Sequence, residues 1–522
     1  MQQRIWSLGR LATCLASVTL ATGAGLAAMT VFPAGAAAAE EASAPPERLY
    51  RLPESLADRL AGTLFTMTNG TDPVLGNQIV AFHRLDDGTL SVAGFFPTGG
   101  LGSGPAPTST VFGVPVPANA DGLGSQGSLL LSEPRDDGAR LLFAVNAGSD
   151  SISCFRVEAD DSGAVLSLPT TVSSGGLFPV SLALRPNSDQ DVLFVLNAGA
   201  NGNVTGFRVS DDCALDLLVR RSLTGLIDDP PFNDPEPNEV LTTPADIGFT
   251  PDGSKLIVAI KGGPDGQGGG FEGGIVVFSG PLRNAPTVTE FSGEDLTAGP
   301  FSFEFDDNGI MVLNHANSFT VASFRVEDSG ALTQLDDPLP ISNLQDGSVL
   351  AFGGFNCWIV IHNGIAYIMT FGDIPATSGG LPDGPGVISA VTIGADGSLD
   401  LLPTGPDAPA PGVVAVLPQD DRNDPDARLV GNHGIDLTVV EDGDRAFLYA
   451  VEPRIGEIGA WEINEDGTLT PLGNVNGGLT PGLDPFAGTN PGINDFLERC
   501  YLQEEPRSPE CAQGSAQGIV GF

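Results

Sequence analysis

Basic residues are scarce in this chain of 522 residues. Lysine and arginine number 23 against 65 aspartates and glutamates, a formal net charge of −42. Lysine occurs only at Lys255 and Lys261. So acidic a surface repels phosphate backbones, which excludes nucleic acid as a partner. Histidine is rare as well: His83, His315, His362 and His433 are the whole set, and they lack the spacing of a zinc site. No C-x-x-C pair exists among the six cysteines, so neither a zinc ribbon nor a thioredoxin-like redox motif is present. Helical periodicity is missing throughout. Beyond residue 32 no run is long and apolar enough to span a bilayer as a helix.

The early apolar run has its own explanation. Arg4 and Arg10 precede or interrupt the start of the apolar stretch 11–32, and an alanine-rich segment, 34–39, follows. This is the pattern of a secretory signal peptide over 1–39, with a retained membrane anchor as the alternative. Residues 40–60 form a polar leader. The expected location is secreted or periplasmic. If Cys14 leaves with the signal, Cys154, Cys213, Cys357, Cys500 and Cys511 remain, and an odd count leaves at least one thiol free. Cys500 and Cys511 bracket a polar stretch with Pro506 and Pro509, so a disulfide between them is expected to staple the tail 496–522.

What the chain does have is a repeat. Residues 141–163 read as an apolar strand, a small Asn/Gly/Ser turn, an alternating strand and an acidic turn. The pattern recurs at 191–212 and 310–330, and more weakly at 64–88, 255–280, 366–397 and 447–467, seven copies in all. A further strand precedes the later copies (180–186, 245–253, 301–309, 434–443) and a fourth follows. Asp-Gly turns recur at 87–88, 137–138, 252–253, 396–397, 442–443 and 466–467. Short alternating strands, four per unit and seven units, predict an all-β, seven-bladed β-propeller of four-stranded antiparallel blades over 61–495.

The insertions are not spread evenly. Residues 97–124, 226–241, 262–274, 372–386 and 403–428 are long and rich in Pro, Gly and Asp. All fall between the second and third strands of a unit or between units. In an up-and-down sheet those connections share one face, so the ring should have one elaborated and one trimmed face. Function is expected on the elaborated one.

The strings LFVLNAG…VTGFRV, PADIGFTPDG, GPFSFEFDDNG, the Cys357-Trp358 pair, GVISAVTIGADGSLDLL and FLYAVE…GEIGAWEINEDGTLTPL resemble the lactonase-like seven-bladed propellers. That family includes bacterial 6-phosphogluconolactonases and fungal carboxymuconate cyclases. The resemblance covers roughly 64–472 and implies the fold; the activity it implies is lactone hydrolysis or cycloisomerisation. The Gly-Pro-Arg-His-type segment of the phosphogluconolactonases is replaced by Gly299-Pro300-Phe301-Ser302. Loss of the cations there speaks against a phosphosugar.

Six innermost strands share a register occupied by Ser128, Ser181, Asp246, Ser302, Cys357 and Asp436, each followed by an apolar residue. Period-two alternation turns this polar set toward the central tunnel, where it is expected to contact a ligand together with His315, or else to line a water-filled channel. Glu304 points the same way. His433 and Asp436 could activate a water, with Glu304 as a further acid and Arg454 holding an oxyanion, the group a lactonase needs. His83 is expected near the rim surface and His362 in a short turn of the trimmed face. Aspartates 420, 421, 424 and 426, like 228, 229 and 234, cluster but follow no EF-hand pattern, so no cofactor or metal is assigned, with calcium as the alternative. Two readings follow. One is an exported binding module, a monomer, holding a small molecule or an extracellular protein or glycan on its elaborated face. The other is a lactone hydrolase or cycloisomerase at the tunnel mouth.

Overall fold

In the computed structural model the described residues are 48–49, 52–104, 106–111, 114–119, 121–160, 163–186, 191–200, 202–226, 244–261, 263–264, 270–271, 273–280, 282, 284–291, 299–316, 318–341, 356–370, 386–405, 408–418, 434–453, 456–476 and 516–522. They form seven antiparallel sheets in a ring, a seven-bladed β-propeller, together with two two-stranded ribbons (Ala106–Val111 with Val114–Asn119, Gly263–Pro264 with Gly270–Phe271), one α-helix of four residues, Glu54–Ala57, and a 3-10 turn, Ala147–Ser149.

Blade 3 shows the plan most simply. From the axis outward it is Pro179–Leu184, Val192–Asn197, Asn203–Val209 and Leu215–Ser222. Blade 4 begins with Pro244–Phe249 and Lys255–Ile260, blade 5 with Pro300–Phe305 and Met311–His315, blade 6 with Asn356–His362 and Ile365–Thr370, blade 7 with Ile435–Asp442 and Arg445–Glu452. Blade 2 places Leu129–Leu131 inside Arg140–Asn146. Second strands are apolar almost without a break: every residue of Lys255–Ile260 and of Met311–His315 is buried. The reason is position. Such a strand has a neighbouring blade on each face, so both of its faces are core.

The Asp-Gly turns join blades as well as strands. Gly88 (φ +80°) ends the third strand of blade 1 and lies against blade 7; a Cβ there would sit 2.3 Å from the Phe447 ring. Tyr449 donates its hydroxyl to the Gly88 carbonyl at 2.8 Å, and Tyr367 of blade 6 does the same to Gly467 of blade 7 at 3.0 Å. Glycine is thus demanded twice, by the left-handed φ and by the neighbour's approach.

Closure of the ring revises the expected boundary. The tail was expected to lie outside the propeller from residue 496 onward. Instead Gln517–Gly521 is the innermost strand of blade 1, antiparallel to Leu60–Met67, with Gln78–Leu85 and Leu90–Pro97 outside them. The last residue, Phe522, exchanges both backbone bonds with Thr63 at 3.0 Å. Blade 1 is therefore made from both ends of the fold, and the closing strand covers the inner edge of Leu60–Met67. Arg84 adds to this seam: it is buried, pairs with Asp442 of blade 7 at 3.0 Å and lies over the Phe447 ring.

The observed disulfide joins Cys154 on the third strand of blade 2 to Cys213 in the outer turn of blade 3. Cys357 is a buried free thiol. Cys500 and Cys511 lie outside the described residues.

Candidate functional site at the centre of the ring

Each inner strand from blade 3 to blade 7 carries a register shift near its start: Pro179/Ser181, Pro244/Asp246, Pro300/Phe303, Asn356/Trp358 and Ile435/Leu437. A bulge leaves one residue out of the ladder and turns its neighbour's side chain. Here that re-aims the polar register sideways, toward the next blade. The Ser181 hydroxyl donates to Asp246 Oδ1 at 3.3 Å while accepting from the Ile247 amide. Asp246 Oδ2 accepts from the Phe303 amide at 3.1 Å. Ser302 donates to the Cys357 carbonyl and accepts from Asn314 at 3.3 Å. The expected tunnel-lining set is thus largely a belt of bonds between blades 3, 4, 5 and 6. Ser128, Ser181, Asp246, Ser302, Cys357 and Asp436 are all buried.

The tunnel itself holds chain. Residues 121–127 precede the inner strand of blade 2, yet they reach across the ring. Ser125 donates to the Val180 carbonyl of blade 3 at 2.8 Å. The Gln126 amide donates to Ala245 of blade 4 at 3.1 Å. On the far side, Trp358 Nε1 of blade 6 donates to the Ser125 carbonyl at 2.9 Å, and the Ile359 amide donates to Gln126 Oε1 at 2.9 Å. A segment bonded to both blade 3 and blade 6 must cross the axis. Lys261, at the end of the second strand of blade 4, donates to the Gly124 carbonyl and sits 4.8 Å from the Phe301 ring centroid. Asp121 turns the segment by accepting from the Gly124 amide at 2.8 Å, and its side chain also bonds Gln517 of the closing strand.

This layer is buried and rich in carboxyls, and proton affinities follow. Burial pushes Asp246 up to about 7, against the pull of its bonds to Phe303, Ile247 and Ser181. Asp436 is raised well above the usual range by burial and by the charges of Asp246 and Asp121; its φ is +50°. Burial also raises Asp121. Lys261 is lowered by burial to about 8, with Asp121 resisting the shift. Burial pushes the Cys357 thiol up, which makes it inert rather than nucleophilic.

Below the crossing segment, toward the trimmed face, Gly248, Glu304, Val360 and Thr438 are only half-buried, so solvent reaches the wall there. Glu304 Oε2 accepts from the Ile361 amide at 2.7 Å. Its carboxyl is raised to about 8, by burial first and then by Asp246. The side chain has a partly accessible surface but lies deep in the channel, and depth rather than local contact sets its proton affinity.

The histidines are dispersed. His315 is buried on blade 5; burial lowers it to about 4, and its Nδ1 lies 3.4 Å from the Thr320 hydroxyl. His362 lies 3.4 Å from Glu441 beside a short turn. His83, expected at the surface, is instead buried beneath the turn at Gly163, where a Cβ would come within 2.9 Å of its ring. His433 and Arg454 lie outside the described residues, as do the two aspartate clusters. Of the proposed acid/base group, Glu304 and Asp436 are the members among the described residues.

Sequence reasoning missed Asp121, Ser125, Gln126, Lys261 and Gln517. One signal was present. Lys261 occupies the strand-end position that is Asn146, Asn197 and Asn314 in other blades, and a lone lysine in such a place marks a special partner.

Comparison with known proteins adds the fold. No protein-family model matches the chain, and no curated protein matches it either. Solved structures do. The periplasmic gluconolactonase of Pseudomonas aeruginosa is 14% identical, over 81% of this chain and 98% of that one, with a TM-score of 0.50. A candidate 6-phosphogluconolactonase of Bacteroides fragilis is 15% identical, over 80% and 95%, with a TM-score of 0.48. At such identity the likeness is one of fold alone, that of a β-propeller.

Proposed function

We propose that the protein is an exported binding module on a lactonase-like propeller scaffold. It would hold a small molecule, or a protein or glycan, on its elaborated face without chemical turnover. One observation carries this reading: residues 121–127 cross the axis and bond to blades 3, 4 and 6, so chain fills the space where a substrate would enter from that face. The titratable groups beside it already serve the fold. Asp246 holds Ser181 and Phe303, Glu304 holds Ile361, and Lys261 holds Gly124. The Cys154–Cys213 disulfide supports export, because such bonds persist in oxidising compartments.

A lactone hydrolase is the second reading, and a specific observation favours it. Glu304 is reachable from the trimmed side and keeps its proton at pH 7, as a general acid must. A panel of aldonolactones decides between the two, with base uptake followed by pH-stat and thermal shift followed in parallel. A Tm that rises with lactone concentration, with no base uptake above the spontaneous rate, is the expected result. Uptake by the wild type that disappears in Glu304→Gln overturns the binding reading in favour of the hydrolase.

A further inference from the structure

The outermost strand of a blade exposes a row of unpaired amides and carbonyls to which another strand could add. Among the described residues, six blades blunt that edge. Arg48–Leu49 caps the outer strand of blade 1. Blades 2, 5 and 6 break theirs into two short pieces: Gly163–Leu166 and Thr170–Ser173, Leu332–Gln334 and Leu339–Pro340, Leu399–Leu401 and Val413–Val416. Blade 4 has only Thr287–Phe291, and Pro471 interrupts blade 7.

Blade 3 is the exception. Leu215–Ser222 runs eight residues without proline or glycine. Leu217 is 59% exposed and Leu218 43%. The register shift opposite Gly206/Phe207 leaves Leu218 as the extra residue, which is why two adjacent leucines both stay outside. Blade 6 starts its outer strand with the same four residues, Leu399, Asp400, Leu401 and Leu402, but Pro403 follows and ends it. In blade 3 the next residue is Val219, and the strand continues.

We propose that Leu215–Ser222 is a homodimer interface, pairing antiparallel with the same strand of a second copy about a two-fold axis. The order of charges along the strand argues for this occupant. Asp216 lies near its start, Arg220 near its end, and apolar residues lie between them, while Arg221 is held by the Leu282 and Asn284 carbonyls. Antiparallel two-fold pairing sets the acidic end of each strand against the basic end of the other, twice, with the leucines meeting in the middle. A foreign strand of one charge sign would match only one end. Arg220 is exposed and has no ion pair among the described residues, so it is available. The rest of the surface opposes association, since each copy carries a formal charge of −42. The dimer is therefore weak at low salt and tightens as salt shortens the Debye length from about 10 Å at 0.1 M to about 3 Å at 1 M. This departs from the monomer expected on sequence grounds.

Sedimentation velocity on the full chain tests it, from about 1 to about 200 μM, a range that brackets micromolar dissociation constants. A concentration-dependent dimer that grows with added NaCl is expected. Leu217→Asp with Leu218→Asp should be monomeric at every concentration with an unchanged Tm, because both side chains are exposed. Asp216→Arg, which sets like charges against each other, should also abolish the dimer. A wild type that stays monomeric throughout, or a dimer that survives the double leucine substitution, overturns the proposal.

Discussion

Lys261 donates from Nζ to the carbonyl oxygen of Gly124, although the first belongs to blade 4 and the second to the chain entering blade 2. That bond ties the ring to the segment lying across its axis. The same ammonium faces Asp121 and the Phe301 ring, so a single side chain balances charge and position in a buried layer. A cation in this setting is costly to bury and more costly to orphan its partner.

Lys261→Met keeps the aliphatic stem and removes the charge. It leaves the Gly124 carbonyl and the Asp121 carboxyl without their cation. A loss of about 3 kcal/mol is expected by urea denaturation. Amide exchange at Gln126 and Gly127 should accelerate by more than the global loss accounts for. Unchanged exchange there would show that the lysine does not hold the segment.

Asp246 and Glu304 should lower stability as pH rises from about 4 to 8, opposed between about 4 and 6.5 by His315, whose folded value is lowered to about 4. Asp246 and Glu304 have folded-state values raised to about 7 and about 8, so at these two groups the native state binds more protons than the unfolded chain across that window. Their contribution is fully present below the unfolded values and is lost as pH climbs through the folded ones. Glu304→Gln and Asp246→Asn should each flatten the slope of ΔG against pH. Lys261 acts oppositely: its folded value is lowered to about 8, so stability rises with pH between about 8 and its ordinary 10.5. Lys261→Met should abolish that alkaline rise.

Cys154 and Cys213 are separated by 59 residues, a long loop for one bond to close. Chain-entropy arguments put its contribution near 4 kcal/mol. Cys154→Ser with Cys213→Ser should lower stability by about that amount, read from the shift in denaturant midpoint at constant m. A shift under about 1 kcal/mol would mean that blade packing alone holds blades 2 and 3 together.

Deleting residues 517–522 removes the innermost strand of blade 1 and the Phe522–Thr63 pair. The buried strand Leu60–Met67 would then present an apolar, unpaired edge to the axis. Loss of the cooperative thermal transition is expected, together with dye binding to exposed apolar surface. A truncated chain that melts like the wild type would remove the closing role given to this strand.

Much of this architecture was legible in the sequence because its signals are local. Period-two alternation fixes which side chains of a strand share a face, and Asp-Gly fixes where the chain reverses. Seven copies of such units can bury their faces only against one another, so the ring follows. The register of Ser181, Asp246, Ser302 and Asp436 could also be read. What they bond to could not, because Ser181, Asp246 and Ser302 each turn toward a neighbouring blade beside a bulge.

Three features belong to the tertiary structure alone. Gln517–Gly521 closes blade 1 after a long interval without repeat pattern. Cys154 chooses Cys213 because blades 2 and 3 are neighbours, not through any spacing. Residues 121–127 lie in the tunnel because partners on blades 3, 4 and 6 come within reach only once the ring has formed. Alternation and turn chemistry act over a few residues and are written along the chain. Closure and occlusion depend on distances between residues hundreds of positions apart, and those exist only in the folded ring.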